Sequence, residues 1–491
     1  MTTADSSATS DALIWGSRRA KLTLTACILG SGLAFLDSSV VAVASPRIEA
    51  DLGGGLPTLQ WVTNGYLLTL GALVLVGGAL GDLLGKKRIL IIGVTAFGIS
   101  SAMCGLAPSA ELLVLARMIQ GVAAALMVPT SLAILNSTFT GGDRAKAIGA
   151  WSGLAGVFTA IGPFIGGLLV DTSPSGWRWV FLINIPLVVG AVVIARIAVP
   201  SHPGTRTSAP IMSQVDILGG VLAVLGLGLL LGPLIEIERL SAWGVAALMS
   251  CGAALLVTLG SVEKHRAVTR KPPPMINLDL FTLRTFSVAN IVTVVVYGSL
   301  SVAFFLVTIA LQQGIGYSAV AAGAAGVPVT IVLAAFSSKA GGLLGKIGAR
   351  PMLTIGPMIM AVGMVLLASI QPGQSYWMLV FPGFVVFAIG LVLVVAPVTA
   401  TALSDVGPAE SGTASGINNA VARIGGLVAI ILIPLAGGLA ASQADALGTG
   451  EEILAGYRTS MLIAAGVCVV GALLALIAFR SEDGRARIPT A

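Results

Sequence analysis

The chain has 491 residues, 56% hydrophobic and only 10% charged, with a mean hydropathy of +0.99. A water-soluble protein of this size needs far more polar surface, which excludes soluble enzymes and free nucleic-acid binders. The formal net charge of +6 therefore has to be explained by where the charges fall along a membrane protein.

Residues 1–20 are polar and end in Arg18 and Arg19, with neither a short apolar core nor a small-residue cleavage site. They read as a cytoplasmic tail, and the first apolar segment is expected to stay in the membrane. Apolar runs of about 20 residues, each enough to cross some 30 Å of hydrocarbon, then recur along the chain. The predicted spans are 21–44, 58–80, 89–107, 112–136, 146–170, 178–199, 215–235, 242–260, 286–311, 318–338, 352–370, 376–403, 411–438 and 457–479. This even set, fourteen in all, puts both termini on one side. Arg47, Arg178, Arg239 and Arg458 then lie on the opposite side, and Arg117 and Arg423 lie inside spans. All other Lys and Arg collect with the termini, which the positive-inside rule makes cytoplasmic. Trp61, Trp177, Trp179, Trp243 and Trp377 fall at predicted outer ends, the level amphipathic rings prefer. The loop holding Asp405 and Glu410 is cytoplasmic yet acidic, a local exception of little weight because acids contribute little to orientation.

Asp37 is the one acid well inside a predicted span. An ionised carboxylate at that depth costs several kcal/mol unless paired or hydrated, so Asp37 is a candidate to exchange a proton or bind substrate. The alternative is an aspartate close enough to the outer surface to stay wet. Between the second and third spans, Gly77-Gly78-Ala79-Leu80-Gly81-Asp82-Leu83-Leu84-Gly85-Lys86-Lys87-Arg88 reads as a tight cytoplasmic hairpin. Its glycines permit close approach and turning, and its basic run resists crossing the bilayer. In the fourth span Arg117 is followed by Gln120, Gly121 and Ala124 at spacings of three, four and seven, a small polar stripe able to face the bundle interior. Because it keeps its charge, Arg117 needs an acid, a carbonyl or water; the alternative is an arginine snorkelling from a helix end.

The fifth span places Gly149, Gly153, Gly156 and Ala160 on one stripe and continues into Gly162-Pro163-Phe164-Ile165-Gly166-Gly167. Small residues give a flat packing face and Pro163 removes a backbone bond, so the segment is a hinge candidate as well as a packing surface. Cys27, Cys104, Cys251 and Cys468 all sit in spans without a motif and read as packing residues. His202 and His265 lie in separate polar linkers, so no metal, cofactor or His-based catalysis is expected and the chain is not read as an enzyme.

An internal repeat runs at a constant offset of 263. Gly85 and Gly93 align with Gly348 and Gly356, and Gly149, Ser152, Gly153 and Gly162 align with Gly412, Ser415, Gly416 and Gly425. The expected organisation is a tail at 1–20, a six-helix bundle at 21–199, linkers and two extra helices at 200–285, a second six-helix bundle at 286–479, and a tail at 480–491.

The hairpin resembles the signature loop of the major facilitator superfamily, with Gly81, Asp82, Gly85, Lys86 and Arg88 on its pattern. Leu36-Asp37 through Pro46, Arg117 with Gly121, Gly162-Pro163 with Gly166 and Gly167, and Trp177 through Pro186 together resemble its fourteen-helix drug:proton antiporters. The resemblance implies an all-α integral membrane fold of two six-helix bundles plus two central extra helices. It also implies proton-driven export of lipophilic neutral or monocationic molecules such as drugs, antibiotics or dyes by alternating access, from a protein of the plasma or inner membrane. Partners would be the small-molecule substrate, protons and the lipid bilayer, with no nucleic acid and a monomer expected. One endogenous metabolite, siderophore or lipid is the alternative load, and a non-transporting membrane sensor the alternative role. In the family the loop's acid, here Asp82, is thought to engage the positive end of the helix starting near Ser411. The second-half loop carries Gly345 at the position of Asp82, so that charge switch is single.

Overall fold

The structure, a computed structural model, describes residues 13–201, 213–269, 272–406, 410–439 and 450–479. Their regular elements are all helices, the form in which a single segment satisfies its own backbone groups in lipid. The first half comprises α1 (Arg18–Leu52), α2 (Gly55–Leu84), α3 (Lys86–Gly105), α4 (Ala110–Thr138), α5 (Gly141–Val170), α6 (Trp177–Leu182) and α7 (Asn184–Ala198). Then follow α8 (Ile217–Ile235) and α9 (Ala242–Thr269). The second half comprises α10 (Arg284–Ile309), α11 (Ala319–Ala325), α12 (Val327–Ile347), α13 (Ala349–Ala368), α14 (Val380–Leu403), α15 (Ser411–Ala436) and α16 (Gly450–Ala478).

Thirteen segments among the described residues are long and apolar enough to cross a membrane, with α6 and α7 acting as one and α11 running into α12 as one. The 30-residue α5 makes a fourteenth. Prolines explain both interruptions. Pro186 has no N–H for the Leu182 carbonyl and Pro328 none for Ala324, so the chain kinks at Ile183 and at Gly326. Pro46, by contrast, does not end α1, which runs on to Leu52. There Ser45 Oγ donates to Val41 O (2.8 Å) and Gln312 Nε2 to Val43 O (3.0 Å), so carbonyls of that turn find partners outside the helix ladder.

Two apolar cores fill the first half and one large core fills the second. The extra helices pair with each other, and α8 lies against both α2 and α15, one helix from each half. The repeat is visible in the backbone. Gly85 joins α2 to α3 at φ +96° and Gly348 joins α12 to α13 at φ +84°, conformations that L side chains avoid. Gly162 packs on Leu36 and Ser39 of α1 and its counterpart Gly425 on Val294 of α10. Two expectations need correction. Cys251 faces outward from α9 while Cys27, Cys104 and Cys468 are buried. Trp177 is fully buried, donating from Nε1 to Asp51 Oδ2 (2.8 Å), so it braces the first half and does not anchor in the interface; Trp179, Trp243 and Trp377 are exposed.

Candidate functional site

Asp37 sits in the middle of α1 with its side chain wholly enclosed. Its carboxylate accepts from Arg117 Nη1 (2.5 Å), Gln120 Nε2 (2.9 Å) and Asn184 Nδ2 (3.2 Å). Three helices therefore converge on one charge. On α4, the spacing of three puts Arg117 and Gln120 on one face, where Arg117 Nη1 also donates to Gln120 Oε1 (2.7 Å). Gly121 beside them allows α2 to come close, since a Cβ there would collide with the Tyr66 carbonyl and Thr69 Oγ1. Arg117 Nε then reaches Val62 O of α2 (3.0 Å), and its guanidinium stacks 4.4 Å from the Tyr66 ring centroid. Asn184 opens α7 directly after the proline-induced kink, and its amide also donates to Ser101 Oγ of α3 (3.0 Å). A buried ion pair is tolerable only when its remaining donors and acceptors are satisfied in this way.

Next to this network lies a cavity of about 290 Å³ between the two halves. Ser38, Tyr66, Arg117 and Pro163 line it from the first half, and Ser301, Phe304, Thr308 and Phe384 from the second. Its wall is mostly apolar and aromatic with a few hydroxyls, the composition of a site for lipophilic molecules. Arg117 faces the cavity, whereas Asp37 lies behind it. Arg117 is thus the member of the pair that lines the cavity, and Asp37 adjoins it through the ion pair.

The halves touch beyond the cavity, at the end away from the basic hairpin. Asp171, just past α5, accepts from the backbone N–H groups of Ala319 (3.3 Å) and Val320 (3.0 Å) at the start of α11. Gln60 Nε2 donates to Ile430 O (2.9 Å) on the α2–α15 seam. The Gly162-Pro163 segment serves these contacts. Gly162 and Gly166 admit α1, Gly167 lies against Ala319 and Val320, and the Pro163 carbonyl abuts Gly323. One motif thus seats α5 on its own half and on the other.

At the opposite end, Gly81 packs on Thr130, Asp82 pairs with Lys86 (3.6 Å) and Arg88 is exposed. Lys87 Nζ donates to Arg196 O (2.7 Å) near the end of α7, where cations complement free carbonyls. These loop residues are far from the Asp37 network, so the predicted site residues form three separate groups.

A sequence profile of the Major Facilitator Superfamily matches residues 27–430. The chain belongs to this superfamily. It is 35% identical to the probable actinorhodin transporter of Streptomyces coelicolor over 85% of this chain and 73% of that one. It is 31% identical to the puromycin resistance protein of Streptomyces alboniger over 92% of this chain and 89% of that one. Its fold is similar to that of a bacterial homolog of the human lysosomal transporter Spinster, with a TM-score of 0.65 and 18% identity, covering 96% of this chain and 100% of that one. A superfamily member with this many apolar helices is a multi-pass membrane transporter of small molecules.

Sequence reading brought Asp37 and Arg117 forward separately and did not join them. Gln120 was visible through its spacing from Arg117. Ser101 and Tyr66 carried no local signal, being ordinary residues of α3 and α2 until the helices pack. Arg423, the other basic residue inside a span, is half-buried on α15 and donates from Nε to Asn419 Oδ1 (3.2 Å).

Proposed function

We propose that the protein is a proton-driven exporter of lipophilic small molecules such as antibiotics, working by alternating access of the central cavity to the two membrane faces, with both termini cytoplasmic in a cell membrane. The observation that carries this reading is the enclosed Asp37–Arg117 pair on the wall of an apolar cavity between the halves. The named relatives, a transporter and a resistance protein of antibiotic chemistry, support the choice of load.

In the paired state Asp37 neutralises Arg117 and the cavity wall is electrically quiet. A proton delivered to Asp37 abolishes the attraction, and Arg117, which cannot lose its own charge, is left uncompensated at the cavity wall. That charge repels a cationic load and draws water to an apolar one, so proton uptake and substrate occupancy oppose each other. This opposition is antiport. One proton moving inward gains about 2.3 kcal/mol per 100 mV and about 1.4 kcal/mol per pH unit, enough for roughly a 500-fold gradient of a neutral load at 100 mV and one pH unit. For a monocation the charges cancel and about tenfold remains. We read Asp171, Gln60 and the Gly162–Gly167 segment as the outer closure, and Asp82 with its hairpin as the inner one.

The test is efflux of a fluorescent lipophilic dye from proteoliposomes under an imposed pH gradient. Gradient-dependent efflux that an ionophore collapses supports the reading; efflux indifferent to the gradient refutes proton drive.

A further inference from the structure

A second cavity, of about 430 Å³, lies outside the transport path, between α2, α4 and the extra helix α8. Its walls are apolar, including Leu68, Leu115, Met118, Leu225 and Leu229, while one end carries Glu111, Glu236 and Arg239. All three charges sit at the helix ends away from the basic hairpin, so the groove opens at that membrane face and runs inward. At 1.5 Å per residue, the stretches Pro57 to Leu68, Ala110 to Met118 and Val224 to Glu236 reach roughly 12–18 Å along the helices. That is close to half of a hydrocarbon layer of about 30 Å, the depth of one leaflet. A groove one leaflet deep, apolar along its length and charged only at its mouth, has the proportions of an acyl chain with its headgroup.

The mouth also has a sign pattern. Arg239 Nη1 meets Glu236 Oε2 (3.2 Å), Glu236 Oε1 accepts from Trp61 Nε1 (2.9 Å), and exposed Glu111 stands on the α4 side. Two carboxylates and one guanidinium share the mouth. We propose that this groove binds one phospholipid with a zwitterionic primary-amine headgroup, its ammonium between Glu111 and Glu236, its phosphate on Arg239 and one acyl chain between α4 and α8. An anionic headgroup without an amine leaves both carboxylates facing a negative charge. A choline headgroup offers no N–H donors to them. A lipophilic cation without N–H donors makes no hydrogen bond to either carboxylate and brings no anion to the free side of Arg239, which then keeps only its pairing with Glu236. The Trp61–Glu236 hydrogen bond sets the mouth, and Gly232, where a Cβ would fall 2.9 Å from the Trp61 ring, holds α8 close to α2 on the other flank of the groove. The extra helices thus build a lipid site on the first bundle, independent of what the central cavity carries.

The experiment is native mass spectrometry of the full chain in detergent after delipidation, with dioleoyl phosphatidylethanolamine, phosphatidylcholine or phosphatidylglycerol added back. One phosphatidylethanolamine should be retained at least tenfold more tightly than phosphatidylglycerol. Glu236→Gln combined with Glu111→Gln should erase that preference, and Leu225→Trp or Leu115→Trp, both at exposed groove positions, should block all three lipids. Equal retention of the three lipids by the native chain, a preference unchanged in the charge variants, or retention unaffected by either tryptophan overturns the proposal. So does displacement of the lipid by tetraphenylphosphonium, which assigns the groove to a cationic load.

Discussion

Replacing Asp37 by Asn leaves Arg117 charged in a space where its side chain is 1% exposed, with Gln120, the Val62 carbonyl and the Tyr66 and Phe181 rings around it and no anion beside it among the described residues. Removing one partner of a buried ion pair costs about 3–5 kcal/mol, whereas replacing both by uncharged groups of similar size is often nearly neutral. Arg117→Met alone strands Asp37 with the amides of Gln120 and Asn184 as its donors. Both single variants should therefore unfold well before the native chain in denaturant titrations of the detergent-solubilised protein. The double variant Asp37→Asn/Arg117→Met should recover much of the loss, giving a coupling energy of about 2–3 kcal/mol, at the upper end for contacting residues. Effects that simply add, within about 0.5 kcal/mol, refute the claim that the two charges neutralise each other in the folded protein.

The outer closure predicts that Gly167→Val, whose side chain would intrude on Val320, holds that end apart. In a Val43→Cys background, labelling by a membrane-impermeant maleimide should rise at least tenfold, and an unchanged rate contradicts the assignment. Asp171→Ala removes the acceptor for the first N–H groups of α11, a loss of about 1 kcal/mol, so the same labelling should rise roughly fivefold; no change removes Asp171 from the closure. Gly85→Ala and Gly348→Ala force a Cβ into backbone at φ +96° and +84°, and each should lose about 1–3 kcal/mol of stability by the same titration. Native stability in either variant removes the glycine requirement at that turn.

The bundle was legible because lipid imposes a length and a composition on every crossing segment, and the positions of the predicted spans follow the observed helices closely. The repeat was legible because glycines at fixed offsets mark obligatory turns and crossings, as Gly85 with Gly348 and Gly162 with Gly425 demonstrate. Proline was ambiguous. Pro186 and Pro328 interrupt their segments while Pro46 is absorbed inside α1, a difference that the residue type does not mark. The polar network was half legible: Asp37 and Arg117 stand out as charges in apolar surroundings, but their meeting depends on how α1 and α4 rotate about their axes. Ser101 and Tyr66 were invisible for the same reason. The α8 groove had no sequence signal, since its apolar walls look like any lipid-facing surface and its mouth like ordinary loop charges.

The central claim is that Asp37, shielded by Arg117, gives up or takes a proton as the cavity fills and empties. Its most direct test is the proton count on addition of a tightly bound dye to the purified protein in weakly buffered detergent solution, at a pH where the substrate-free site is protonated. The account predicts release of about one proton per bound dye by the native chain; Asp37→Asn, which leaves Arg117 uncompensated, should bind the dye more weakly and, with dye added to saturation, release none. Equal proton release by the two proteins contradicts it and places the coupling group elsewhere.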